Sequence, residues 1–355
     1  MTPSSHSPAS PSGPGFGSGP AGTTPTSGTT TPGRLPSAAV VPLSAVLTVA
    51  IGGAMSLQGH ANGSLTGVLG NGVFAATVSF LGGLVVVALV ALLTRNNRRT
   101  VANVWQLGRS GQFPWWMMLG GFGGSTVVIS QAFTVPLFGV ATFTMSFVCG
   151  QLLGALVVDN TSLPPAGRQR PTLRRVIGTL IVLVGVGISS AGVLAQGIAW
   201  WAPLLPATAG LLTAVQQACN GRLKVASGST VASTFTNFLT GSFLLVVVSG
   251  VLLLSGTRII GSPDLPGDWW MLMGGLYGLM FIGYSAIAVA HLGVLLLSLF
   301  SLLGNLLGSL AIDLTVSAAQ TAVTWETYVS MLVVVLGVTI SSVPRLPGLS
   351  RRARS

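Results

Sequence analysis

Apolar runs of spanning length follow one another along most of the chain. They fall at residues 40–63, 72–93, 115–135, 138–158, 175–195, 203–221, 230–254, 269–289, 292–312 and 326–343, which predicts ten transmembrane helices. Pro203 and Pro206 open the sixth run, and polar Gln216, Gln217 and Asn220 close it. Composition agrees with the pattern. Half of the residues are hydrophobic and only 6% are charged, against roughly 25% in a soluble domain. So few charges cannot cover the surface of a soluble enzyme of this length, and the expected fold is an all-α polytopic membrane protein.

The net charge of +11 changes the picture only through its placement. Basic residues lie between the apolar runs and not on one domain, so they read as topology signals and not as a nucleic-acid surface. Ten spans put both termini on one side of the membrane. Of the 16 Lys and Arg residues, all but Arg258 then fall on the same side as the termini. The positive-inside rule makes that side cytoplasmic and the protein a multi-pass protein of the cytoplasmic (inner) membrane. The pairs Trp115-Trp116, Trp200-Trp201 and Trp269-Trp270 lie at span ends, where amphipathic rings settle.

Residues 1–38 are rich in Pro, Ser, Thr and Gly and are expected to be a disordered cytoplasmic tail. Residues 344–355 form a short basic cytoplasmic tail. The stretch Gly17-Ser18-Gly19-Pro20-Ala21-Gly22 spells GxGxxG, but no strand precedes it and no helix follows, so no dinucleotide site is expected. Cys149 and Cys219 sit inside apolar runs and form neither a disulfide framework nor a metal motif.

The two halves of the chain, 39–195 and 200–343, repeat each other. Gln58-x-x-x-Asn62-Gly63-x-Leu65 recurs as Gln216-x-x-x-Asn220-Gly221-x-Leu223, an offset of 158, and Phe80 and Gly83 recur as Phe238 and Gly241. Trp115-Trp116-x-x-x-Gly120-Gly121 recurs as Trp269-Trp270-x-x-x-Gly274-Gly275, an offset of 154. Gln151-Leu152-x-Gly154 with Asp159 matches Asn305-Leu306-x-Gly308 with Asp313. Each half holds five spans, an odd number, so tandem copies enter the membrane in opposite directions. Inverted repeats of this kind characterise transporters in which one half rocks against the other around a midplane site.

The repeat signature resembles the drug/metabolite transporter superfamily, in its EamA-like and YdcZ-type branch of inner-membrane proteins. The matching residues are Leu57-Gln58 to Asn62-Gly63, Val78-Ser79-Phe80-Leu81-Gly82-Gly83, Trp115-Trp116 to Gly120-Gly121, Gly139-Val140-Ala141-Thr142-Phe143 and Gly150-Gln151-Leu152. The second half is looser, with Asn237 in the place of Ser79 and Asn305 in the place of Gln151. The resemblance covers roughly 44–343. It implies a ten-helix bundle of two inverted five-helix halves that acts as a permease or exporter, with no substrate specified.

Polar residues inside spans are costly and therefore candidates for function. Gln58 and Asn62 share a helix face, as do Gln216 and Asn220. They either contact a small polar solute or bond neighbouring helices together. Gln151 and Asn305 lie deeper and are expected to line a cavity where the repeats meet. The glycine pairs Gly120/Gly124, Gly150/Gly154, Gly274/Gly278 and Gly304/Gly308 are expected packing faces, because glycines four apart let backbones approach. Asp159 and Asp313 close the fourth span of each half. An interfacial ion pair with Arg168, Arg170 or Arg174 explains Asp159. A proton relay is the other reading for both acids, and Asp313, with no basic residue nearby in sequence, suits it better. His60 and His291 are further candidates for proton coupling.

The sequence holds no GxxxxGK[ST], HExxH or CxxC motif and no clustered carboxylates. No cofactor or metal and no enzymatic activity are expected. The expected function is secondary transport of a small metabolite or drug-like solute by alternating access. The partners are that solute and the lipid bilayer, with the oligomeric state open. A non-transporting membrane scaffold with the same fold is the alternative.

Overall fold

The computed structural model describes residues 37–194, 203–315 and 325–342. The two tails and Trp200-Trp201 thus lie outside the described residues. Nine α-helices appear among those described: α1 (Ser37–Leu69), α2 (Gly72–Leu93), α3 (Arg95–Arg109), α4 (Gly121–Asp159), α5 (Leu173–Leu194), α6 (Leu204–Ser227), α7 (Thr230–Leu254), α8 (Gly274–Thr315) and α9 (Trp325–Ser342). Short 3-10 turns at Trp115–Gly120 and Trp269–Met273 lead into α4 and α8. Val40–Leu69, Gly72–Leu93, Thr230–Leu254 and Trp269–Ile312 are long and apolar enough to cross a membrane. Their outer faces carry large apolar side chains in the open, such as Leu89 on α2 and Phe243 on α7. Such surfaces suit lipid and would associate in water.

Helix ends follow from local chemistry. Gly70 and Gly228 adopt positive φ (80° and 64°) after α1 and α6, a left-handed turn that glycine enters without a Cβ penalty. The next helices open on matched caps. The Asn71 side chain accepts from the Val73 N–H at 2.8 Å, and Ser229 Oγ from the Ala232 N–H at 3.2 Å.

Two predictions need correction. The polar stretch after α2 reads as a loop, yet 95–109 is helical. Thr94 Oγ1 caps it by accepting from the Asn97 N–H at 3.1 Å. Val104, with Val101 and Leu107, packs against Phe113, Met117 and Leu223 below an arginine-rich outer face. The second correction concerns span limits. The predicted third and fourth spans run together as α4, whose 39 residues would reach about 58 Å if straight, against a hydrocarbon core of about 30 Å. The predicted eighth and ninth spans keep their division, because the run Gly274–Thr315 is two helices meeting at Gly293, whose φ 74° and ψ 176° are not helical.

The main helix partners are α1 with α8, α4 with α6, α5 with α9 and α2 with α7. Glycines set the closest crossings. A Cβ on Gly304 would run into the Val49 carbonyl of α1, and one on Gly150 into the Ala207 carbonyl of α6. Gly308 and Gly154 sit one turn along on the same crossings, against Gly53 and Leu211. Where α2 meets α7, the rings of Phe80 and Phe238 lie 5.4 Å apart. Gly83 makes room for Phe238, and Gly241 for Phe80.

Candidate functional site

A cavity of about 630 Å³ lies between α1, α2, α4, α6, α7 and α8. It reaches the turn between α1 and α2, where Thr66, Gly70 and Asn71 line it. The two repeated amide pairs, Gln58/Asn62 and Gln216/Asn220, line it together although they come from opposite halves of the sequence. The open choice between solute contact and helix bonding does not divide them, because all four border the cavity while Asn62, Gln216 and Asn220 also bond within the protein. Ser79 Oγ donates to Asn62 Oδ1. At the matched place in the second half, Asn220 Nδ2 donates to Asn237 Oδ1 at 3.0 Å, and Gln216 Nε2 donates to the same oxygen at 2.9 Å.

Two of the predicted glycine pairs serve these amides. Gly274 and Gly278 face Asn62 and Gln58, while Gly120 and Gly124 face Asn220 and Gln216. A Cβ on Gly278 would come within 2.7 Å of Gln58 Nε2, and one on Gly120 within 3.0 Å of Asn220 Oδ1. Each half thus supplies the glycine seat for the amides of the other. The remaining wall is largely apolar, with Phe80, Phe147, Phe238 and Phe281 among its residues.

Gln131 and Gln217 also line this cavity and are not among the site candidates read from the sequence. Neither stands in a matched motif. Gln217 adjoins Gln216, but only the packing shows that both reach the same space. Gln151 and Asn305 are not among the lining residues of this cavity. Asn305 lies on the α1–α8 crossing, where its Oδ1 accepts from Ser56 Oγ at 2.9 Å and its carbonyl from the same hydroxyl at 2.6 Å. Gln151 lies on the α4–α6 crossing, where its backbone N–H abuts Gly210.

The ionisable candidates are dispersed. Asp159 is 1% exposed. Its ion-pair partner is Arg175, at 3.4 Å, and not the Arg168, Arg170 or Arg174 expected. The Asp159 carboxylate also accepts from the backbone N–H groups of Val294 (2.7 Å) and Leu295 (3.1 Å). These are the first donors of the helical segment beyond Gly293, so Asp159 closes the N-terminus of a helix from the other half of the chain. Gln169 joins the cluster by accepting from Arg175. His60 stacks on Trp270, with 5.2 Å between ring centroids and a 17° interplanar angle. His291 is exposed, and the Asp313 side chain lies outside the described residues. No ionisable residue lines the cavity among those described.

A family model described as "Putative inner membrane exporter, YdcZ" matches residues 43–188 and 201–340. The chain belongs to this family. As a YdcZ-family protein it is a multi-pass membrane protein of the transporter class, placed in the cytoplasmic membrane. A crystal structure described only as "Crystal structure of protein" shares its fold, with a TM-score of 0.59 and 16% identity over 86% of this chain and 96% of that one. No curated protein matches the chain.

Proposed function

We propose that the chain is a secondary transporter in which two inverted five-helix repeats move a small polar solute through the cavity by alternating access. The observation that carries the reading is the reciprocity of the cavity wall. Gln58 and Asn62 rest on Gly278 and Gly274, and Gln216 and Asn220 rest on Gly124 and Gly120. Repeat-matched residues therefore exchange partners across one space, as a twofold axis in the membrane plane requires. The crossings follow the same rule. Gly304 meets Val49, and its matched Gly150 meets Ala207, the match of Val49.

The cavity reaches the α1–α2 turn, which the charge pattern assigns to the outside. Toward the opposite face the Asp159 cluster ties α4, α5 and α8 together. This arrangement is an outward-facing state with the inner side held shut. In the inward-facing state the matched contacts of the other half take over.

A plug tests the path. Gly59 borders the cavity and has nothing within 4 Å of its Cβ position, so a side chain can leave the helix there unhindered and Gly59→Trp is expected to fill the space. The assay is counterflow of labelled polar metabolites in proteoliposomes. Solutes carried by the parent protein are expected to fall to the level of empty liposomes in Gly59→Trp, with the thermal midpoint unchanged. Flux that persists in a folded, plugged protein takes this cavity off the transport path, and a parent protein that carries none of the panel counts for the scaffold alternative.

A further inference from the structure

The cavity wall contains a buried donor with nothing to bond. Gln217 is 3% exposed and lines the cavity. Ser298 Oγ donates to its Oε1 at 3.0 Å, while its Nε2 has no partner. Its neighbours are already committed, since Gln216 and Asn220 both donate to Asn237. Buried amide hydrogens are normally paired, and an orphan on a residue of the cavity wall points to a ligand that completes it. The repeat sharpens this. Gln217 matches Gly59 in the first half, so the donor has no twin, and open space stands at the equivalent position.

Charge narrows the ligand. The described lining residues include no acid, base or histidine. An ion entering such a wall would lose its hydration and meet no counter-charge. Phe80, Phe147 and Phe281 instead offer apolar surface beside the amides.

Resting on the reading of this cavity as the solute site, we infer that it selects an uncharged solute with an apolar part, and that Gln217 Nε2 donates the hydrogen bond that reads the solute's carbonyl, hydroxyl or ring-nitrogen acceptor. Gln217 is thus a specificity residue. The substrate class is neutral, and the solute carries no charge of its own across the membrane.

Cysteine labelling tests the solute class without a known substrate. In the full chain with Cys149→Ala and Cys219→Ala, Gln217→Cys and Thr213→Cys report from the cavity wall and Thr66→Cys reports from its mouth. The probes are methyl methanethiosulfonate (uncharged) and the sulfonatoethyl (anionic) and trimethylammonium-ethyl (cationic) methanethiosulfonates. Each rate is divided by its rate with a free thiol. The uncharged reagent is expected to lead both charged ones by about 100-fold at the wall positions and by less than about tenfold at Thr66→Cys. Equal rates at the wall overturn the neutral class, and so does silence there toward all three reagents.

Thermal unfolding separates a ligand-reading Gln217 from a structural one. Gln217→Leu combined with Ser298→Ala removes the orphan donor together with the hydroxyl bonded to its amide oxygen, and is expected to leave the midpoint level or higher, whereas Gln216→Leu, which loses its bond to Asn237, lowers it. A fall in the Gln217→Leu, Ser298→Ala protein as large as in Gln216→Leu overturns the assignment. Failure of the transport reading would show instead as a parent protein without flux, or as flux that persists in Gly59→Trp, neither of which these two measurements touch.

Discussion

Asp159→Leu is expected to lower the unfolding free energy by roughly 3–5 kcal/mol, the cost of leaving a buried charge unpaired. The carboxylate serves three donors at once: the N–H groups of Val294 and Leu295 and the Arg175 guanidinium. Removing it orphans two backbone donors at a buried helix start and strands Arg175 beside Gln169. Gly293 cannot compensate, because its positive φ ends the preceding helix and a Cβ there would press within 3.0 Å of the Asp159 carboxylate. Asp159→Asn keeps an acceptor and the shape, so its loss should be smaller. Denaturant unfolding in detergent, with Arg175→Leu and the double variant completing a cycle, measures the coupling. An Asp159→Leu protein as stable as the parent would show that the cluster does not hold the α4–α8 junction. If the cluster also shuts the inner face, the folded fraction of Asp159→Asn should label more readily from the cytoplasmic side.

Leucine at Gly304 or Gly150 is expected to cost about 3 kcal/mol or to prevent folding. At both sites the added Cβ meets a partner backbone carbonyl, of Val49 or of Ala207. A backbone cannot step aside as a flexible side chain does, so the helices must part along the whole crossing. Gly67→Leu is the control. It lies on α1 with nothing within 4 Å, and it should change stability by no more than about 0.5 kcal/mol. Folded yield by fluorescence-detected size exclusion, together with the thermal midpoint, reads all three variants. Equal behaviour of Gly304→Leu and Gly67→Leu would remove the close crossing from the structure's support.

Much of this architecture is legible in residue order because its causes are local or periodic. A helix in lipid must satisfy its own backbone, so each twenty-residue apolar run states its structure directly. Gly70-Asn71 and Gly228-Ser229 mark helix ends through conformational freedom and capping. The glycine pairs name close crossings, since little else tolerates such approach. The helix at Arg95–Arg109 is hidden for an equally physical reason. Its apolar face is narrow and gains its partner only through Phe113, Met117 and Leu223, and its arginines read as a loop.

The amides show where residue order stops. Gln58, Asn62, Gln216 and Asn220 stand out by repetition alone. Whether they meet is a matter of how α1 and α6 are placed around one space, which no spacing along either helix encodes. Gln151 and Asn305 hold matched positions too, with Asn in the place of Gln, yet Asn305 turns to Ser56 across a helix crossing. Their equivalent depth follows from the repeat. The direction a side chain takes follows from the neighbour that accepts it.

By itself, the sequence determined the class of fold, the membrane setting, the repeat and the set of polar residues worth attention, because hydropathy, charge placement and self-similarity are properties of the chain in order. Tertiary structure alone decided that Asp159 bonds to Val294 and Leu295, that glycines of one half seat the amides of the other, and that Gln217 lines the cavity while its donor stays unpaired. Each of these contacts joins residues far apart in the chain, and their energies depend on burial and angle, which exist only once the helices have packed.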